Sequence, residues 1–199
     1  MGGDVALDLV NTGSRRRDGP FRERLLTYSD LIRWAERAGI VDASAAAELW
    51  QEAERHPEEA ELALDRMREL REQVYRVFVA AIRGESPPAA DLGSLQAAAA
   101  EGAGARRIVA LPGGAFRFGW PACERLGQLA WQVALSAAEL LVSEDRTRVK
   151  ECATANCNWL FVDLSRNRSR RWCDMKDCGN RAKARRHYAR MQRQERRGE

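Results

Sequence analysis

Apolar residues recur at intervals of three and four through most of residues 1–145, which predicts a largely helical body. Leu31, Ile32, Trp34, Ala35 and Ala38 form one such stripe, with Ser29 or Asp30 placed to cap its start and Gly39 to end it. A second helix is predicted from Asp42 to Arg55. Pro57 suits the first turn of a third, long helix whose leading Glu58, Glu59 and Glu61 oppose the helix dipole. Leu70, Val74, Val77, Phe78, Ala81 and Ile82 are its expected buried stripe, and Gly84 its stop.

Pro87-Pro88 breaks the pattern, and the Ala-rich run from Ala89 to Ala105 resumes it as a helix followed by a Gly-containing loop. Two short apolar runs, Arg107 to Leu111 and Ala115 to Phe118, flank Pro112-Gly113-Gly114 and predict a β-hairpin. Pro121 then opens a helix apolar on more than one face, through Leu126, Leu129, Val133, Ala137 and Leu141, which marks it as the central core helix. Cys123 near its start reads as a small buried hydrophobe. The opening Leu7-Asp8-Leu9-Val10-Asn11-Thr12 alternates apolar and polar positions. Asp8 and Asn11 either satisfy the nearby backbone or form the lip of a pocket for a small-molecule effector.

After residue 145 the pattern changes to strand-like runs. Asn158 to Asp163 alternates its faces, Ser165 to Arg168 supplies a turn, and Arg171-Trp172 returns the chain, so strand, turn and strand are expected between two cysteine pairs. A helix-compatible run follows from about Asn180 to Arg197.

The cysteines carry the clearest chemistry. Cys152-x4-Cys157 and Cys173-x4-Cys178 are two matched pairs, each closed by a short loop, and four thiolates can be brought to one tetrahedral Zn2+ in this way. Four sulfur ligands leave no open coordination position, so the expected zinc is a single structural ion. Cys178 falls at a helix start, where exposed amides favour its thiolate. The cluster would be formally −2, a charge that Lys176, Arg171 or Arg181 is placed to offset.

Net charge sharpens the division. The chain of 199 residues has a net charge of only +4, yet residues 146–199 hold 16 Lys/Arg against 6 Asp/Glu, and residues 1–145 hold 17 against 23. An acidic body therefore carries a basic metal module, and the expected domains are 1–145 and 146–199. The basic module favours an anionic partner. At about 100° per residue, Arg186, Arg190, Arg193 and Arg197 share one narrow stripe of the last helix, while Ala184, Tyr188 and Met191 lie opposite and are expected to pack inward. Arg166, Arg168, Arg170 and Arg171 form a second basic cluster beside Trp159 and Trp172. Lys183 and Arg185 complete the candidate nucleic-acid contacts. Arg serves phosphate and guanine alike, and the aromatic residues leave stacking on single-stranded RNA open beside duplex DNA, as does a protein-interaction scaffold.

Other classes find no support. Neither a nucleotide-binding Gly pattern nor a catalytic constellation appears, so no enzyme is expected. There is no apolar stretch long enough for a membrane span and no basic-then-apolar leader, which together with cysteines suited to metal rather than disulfides predicts a cytoplasmic protein. Dimerisation would add avidity to a small finger, although no sequence feature specifies it.

Cys178-Gly179-Asn180-Arg181, with Phe161-Val162-Asp163, Ser165-Arg166-Asn167, Arg171-Trp172-Cys173 and Lys183, resembles the pattern of the CGNR zinc-finger family over roughly Val149 to Arg190. The Leu7 to Thr12 motif, followed by Trp34 and a helical body, is similar to the ABATE domain that accompanies this finger. The resemblance implies an α+β protein: a predominantly helical N-terminal domain with a hairpin, joined to a treble-clef-like or ribbon-like zinc finger. It also implies a ligand-sensing body and a DNA-binding finger in a bacterial, stress-linked transcription regulator.

Overall fold

The computed structural model describes residues 2–14, 21–120, 126–154 and 157–198, without the side chains of 189 and 193–198. Pro121, Cys123 and the side chains of Arg193 and Arg197 therefore lie outside the described residues. The described chain forms α1 (Val5–Val10), α2 (Tyr28–Arg37), α3 (Ala43–Arg55), α4 (Pro57–Arg83), α5 (Ala89–Ala105), β1 (Arg107–Ala110), β2 (Phe116–Gly119), α6 (Gln128–Val142), β3 (Val149–Glu151), β4 (Leu160–Val162) and α7 (Asn180–Gly198). Helices and two small antiparallel hairpins give an α+β fold.

The long helix α4 is the spine. Its Leu70, Val74, Val77 and Phe78 are buried, as their spacing predicts, while Ile82 at the last turn stays exposed because the chain stops packing there. Each large apolar side chain taken from water contributes roughly 1.5–3 kcal/mol, so this stripe is a major part of what holds the body together. Helices α1, α2, α3, α5 and α6 all pack on α4. Helix α6 is the central apolar helix expected, with Leu129, Val133, Ala134 and Ala137 fully buried. Helix α2 starts slightly earlier than its apolar pattern suggests. Thr27 is the cap, and a reciprocal capping box with Asp30 satisfies both backbone amides.

The alternating Leu7 to Thr12 stretch is not extended. Asp4 caps it by accepting from the Ala6 amide at 2.8 Å, so Val5–Val10 winds into a short helix with Ala6, Leu7, Leu9 and Val10 all buried. The predicted β1–β2 hairpin forms, with Ile108 opposite Phe118 and Ala110 opposite Phe116, around a 3-10 turn at Pro112–Gly114. Ile108 and Phe116 remain more than two-thirds exposed.

The second hairpin differs from the expectation. β3 precedes the first cysteine and pairs antiparallel with β4, Val149 opposite Val162 and Glu151 opposite Leu160, and residues 164–174 contain no strand. The strands thus straddle the first cysteine pair instead of filling the space between the pairs. The reason lies in β4, whose three residues are all buried. Leu160 and Val162 join the body's core, whereas Phe161 on the other face joins the cysteine cluster. One strand is the wall between two apolar centres, as alternation of side chains permits.

The outer edge of β4 is covered by the N-terminus. Val162 donates its amide to the Gly2 carbonyl at 2.7 Å. The Asn11 side chain donates to the Leu160 carbonyl and accepts from the Leu160 amide, both at 2.9 Å. Gly2 permits this approach, since a Cβ there would sit 2.8 Å from the Leu7 Cβ. No helix among the described residues is long and apolar enough to cross a membrane.

Candidate metal centre

Four elements deliver the sulfurs. Cys152 leaves β3, Cys157 precedes β4, Cys173 ends the return segment, and Cys178 lies in a π-helical turn, Met175–Gly179, that runs directly into α7. Their Sγ atoms all lie within 4.8 Å of one another. Cys157 to Cys173 is 3.7 Å and Cys173 to Cys178 is 3.6 Å. A tetrahedron with Zn–S bonds of about 2.3 Å has edges of about 3.8 Å, whereas a disulfide needs about 2.05 Å. The spacing is that of ligands around one ion.

The Cys157 thiol is pushed up to about 12, first by the neighbouring Cys152 sulfur, and Cys173 moves up because of Cys152 and Cys157. Cys152 moves the other way, because Cys157, Cys173 and the Cys173 amide donate to it. Left to themselves the sulfurs hold back part of their protons. A divalent cation at their centre removes that repulsion and lets all four act as thiolates.

Each residue of Cys178-Gly179-Asn180-Arg181 has a distinct part in the site. Cys178 supplies a sulfur. Gly179 is buried where a Cβ would press on the Met175 sulfur at 2.6 Å, so a larger residue would displace the Met175 side chain that covers the turn. Asn180 donates to the Lys176 carbonyl at 2.8 Å and closes the turn. Arg181 donates to the Cys178 sulfur at 3.2 Å and pairs with Asp177 at 3.1 Å. Of the three cations placed to offset the cluster's charge, Arg181 is the one that reaches a sulfur.

The ABATE family, described as "Putative stress-induced transcription regulator", matches residues 3–144. The chain belongs to this family. The CGNR zinc-finger family matches residues 148–191. A comparison with curated proteins gave no match. The four-cysteine cluster of the CGNR finger fits one structural zinc ion.

Around the sulfurs, Phe161, Trp159 and Trp172 make the CGNR finger's small apolar centre. Asp163 is buried beneath it. Burial alone would raise its carboxyl, but the Lys150 ammonium at 2.6 Å, the Ser165 hydroxyl and the amides of Ser165 and Arg170 outweigh that and hold it well below the usual carboxylate range. Asp163 thereby fixes the start and end of the 165–170 loop. Its sign in the sequence was its place in the Phe161-Val162-Asp163 motif.

The basic residues divide in a way composition does not reveal. Arg170 is half-buried, lies 4.5 Å over the Phe161 ring, and donates to the carbonyls of Trp172 and Cys173. Its guanidinium therefore serves the finger's interior. Arg166, Arg168, Arg171, Lys183, Arg185, Arg186 and Arg190 are exposed. Along α7 the expected inward face is not buried: Ala184 is exposed, Tyr188 is 70% exposed and Met191 46%. Past its first turn the helix projects from the zinc site with no other element packed along it among the described residues.

Asp8 and Asn11, the expected lip of an effector pocket, are both engaged by backbone groups. Asp8 accepts from the Gly2 amide at 2.6 Å, and Asn11 is 6% exposed with both ends of its amide held by Leu160. Asn11 of the ABATE motif docks the finger instead. Arg24, 5.0 Å over the Trp159 ring, adds a second contact between body and finger.

Proposed function

We propose that this protein binds nucleic acid through its zinc finger, and that its preferred partner is duplex DNA, which makes it a transcription regulator without catalytic activity. The observation that carries this reading is α7. It begins beside a zinc ligand, is about 28 Å long at 1.5 Å per residue, and offers Lys183, Arg185, Arg186 and Arg190 to solvent. An α-helix of that kind fits the roughly 12 Å major groove, and the ion at its base keeps it aimed.

Duplex is favoured over single strands because the finger's Trp rings are occupied. Trp159 and Trp172 pack on the sulfurs and carry Arg24 and Arg171 against their faces. Tyr188 is the exposed aromatic left for stacking on α7. Binding of zinc-loaded protein to duplex DNA and to single-stranded RNA across a salt series tests the choice. Tighter duplex binding that Tyr188→Ala leaves unchanged supports it. Tighter RNA binding that Tyr188→Ala weakens overturns it.

For the ABATE body we propose a small-molecule seat away from Asp8 and Asn11. A cavity of about 640 Å3 opens between α4, α5 and the start of α6, walled by Leu70, Ala98, Leu126 and Trp131 with Glu69 and Glu101 among the polar groups. An effector that fills it raises the denaturation midpoint of the native protein, and Trp131→Ala abolishes that rise. A metabolite screen with no stabilising hit argues against a sensing role.

A further inference from the structure

Arg168 has φ +48°, and no other non-glycine residue among those described has positive φ. Its amide donates to the Ser165 carbonyl at 3.1 Å, so it closes the Ser165–Arg168 turn at a left-handed position that glycine would fill without strain. Its carbonyl accepts from the Lys150 ammonium, which ties the turn to β3. The side chain is exposed, and its guanidinium makes no ion pair among the described residues.

Arg168 also stands between two hollows. One, of about 600 Å3, lies against the end of the body and is lined by Val142, Glu144, Arg146 and Thr147 together with Arg168. The other, of about 430 Å3, lies on the finger and is lined by Ile82, Lys150, Glu151 and Arg171 together with Arg168. Arg146 and Arg168 line the first hollow, Arg168 and Arg171 the second, and all three are exposed, so the three arginines follow one another across the junction between body and finger. Glu144 and Glu151 are the acids bordering this line. Lys150 is already neutralised by Asp163.

We propose that the Arg146–Arg168–Arg171 line is a seat for the nucleic-acid sugar-phosphate backbone, separate from α7, and that the short segment joining body to finger contributes to it through Arg146. The inference rests on the nucleic-acid reading of the finger. A strained position occupied by arginine is accounted for when the side chain has work that glycine cannot do. With α7 in a groove, this line holds a neighbouring stretch of backbone and sets the protein's orientation.

The test uses the full zinc-loaded chain, a labelled duplex of mixed sequence, and fluorescence anisotropy from about 50 to 200 mM salt. Arg168→Gly is expected to weaken binding several-fold at low salt. It should reduce the slope of log K against log salt by about 0.9, one phosphate contact. Its denaturation midpoint should hold or rise by up to roughly 4 °C as strain is released. Arg168→Lys should keep the slope, and Arg146→Gln should lose about as much slope as Arg168→Gly. If the parent binds the duplex and either Arg168→Gly or Arg146→Gln keeps the full slope, the seat is refuted while the finger's role stands. If the parent itself binds neither duplex nor single strands, the underlying reading fails, and the seat with it.

Discussion

Replacing Asn11 by Ala removes two hydrogen bonds at once, and the partners left behind are the amide and carbonyl of Leu160, a residue with no exposed surface. Each orphaned buried group costs about 1–3 kcal/mol. Some water entry beside the shortened side chain offsets part of the sum, so the expected loss is about 3 kcal/mol. Urea denaturation followed by far-ultraviolet circular dichroism measures it. The four sulfurs are untouched, so Asn11→Ala should still carry one zinc per chain. Its finger and body should begin to melt in separate steps, because the covered edge of β4 is a main tie between them. Asn11→Asp adds a check of sign. Its carboxylate repels the Leu160 carbonyl at neutral pH, whereas its protonated form regains a donor, so its deficit should shrink as pH falls toward about 4. A loss below about 0.5 kcal/mol for Asn11→Ala, with one cooperative transition, would refute the claim that this amide joins body and finger.

Three further outcomes follow from the geometry. Elemental analysis should find one zinc per chain, and a strong chelator should lower the denaturation midpoint and abolish nucleic-acid binding together; metal-free protein with an unchanged midpoint contradicts a structural ion. Arg170→Ala should speed zinc release and destabilise the finger, since Arg170 donates to the Trp172 and Cys173 carbonyls, whereas Arg185→Ala should leave zinc and stability alone and weaken binding. Glu23→Gln breaks a two-pronged pair with Arg71, which is 97% buried, with N–O distances of 2.6 and 2.7 Å, and should cost roughly 3 kcal/mol at pH 7. Burial raises the Glu23 carboxyl, but Arg71 and the Leu25 amide prevail and lower it overall. That stability is present above the unfolded value near 4.3 and disappears as pH falls below it. The gap between parent and variant should close at acid pH, and a gap independent of pH would show that the charge is not responsible.

The sequence by itself determined the zinc donor set, the helices α2 to α6 and the existence of the first hairpin. These depend on neighbours close in the chain: ligand spacing of four residues, apolar recurrence at three and four, and glycines at a turn. The parts played by side chains of like chemistry were decided only by the tertiary structure. Arg168 and Arg170 are two residues apart, yet one faces solvent and the other crosses a phenylalanine ring inside the finger. Tyr188 and Met191 have the spacing of a buried face, but burial requires a second surface, and no described element lies along them. Asn11 has the local look of a turn residue, while its partner lies 149 positions away on a strand that forms the wall between two cores. Local pattern fixes what a segment can bury or bond; which surface meets it depends on how distant segments pack, and backbone groups buried by that packing must then find partners wherever the fold puts them.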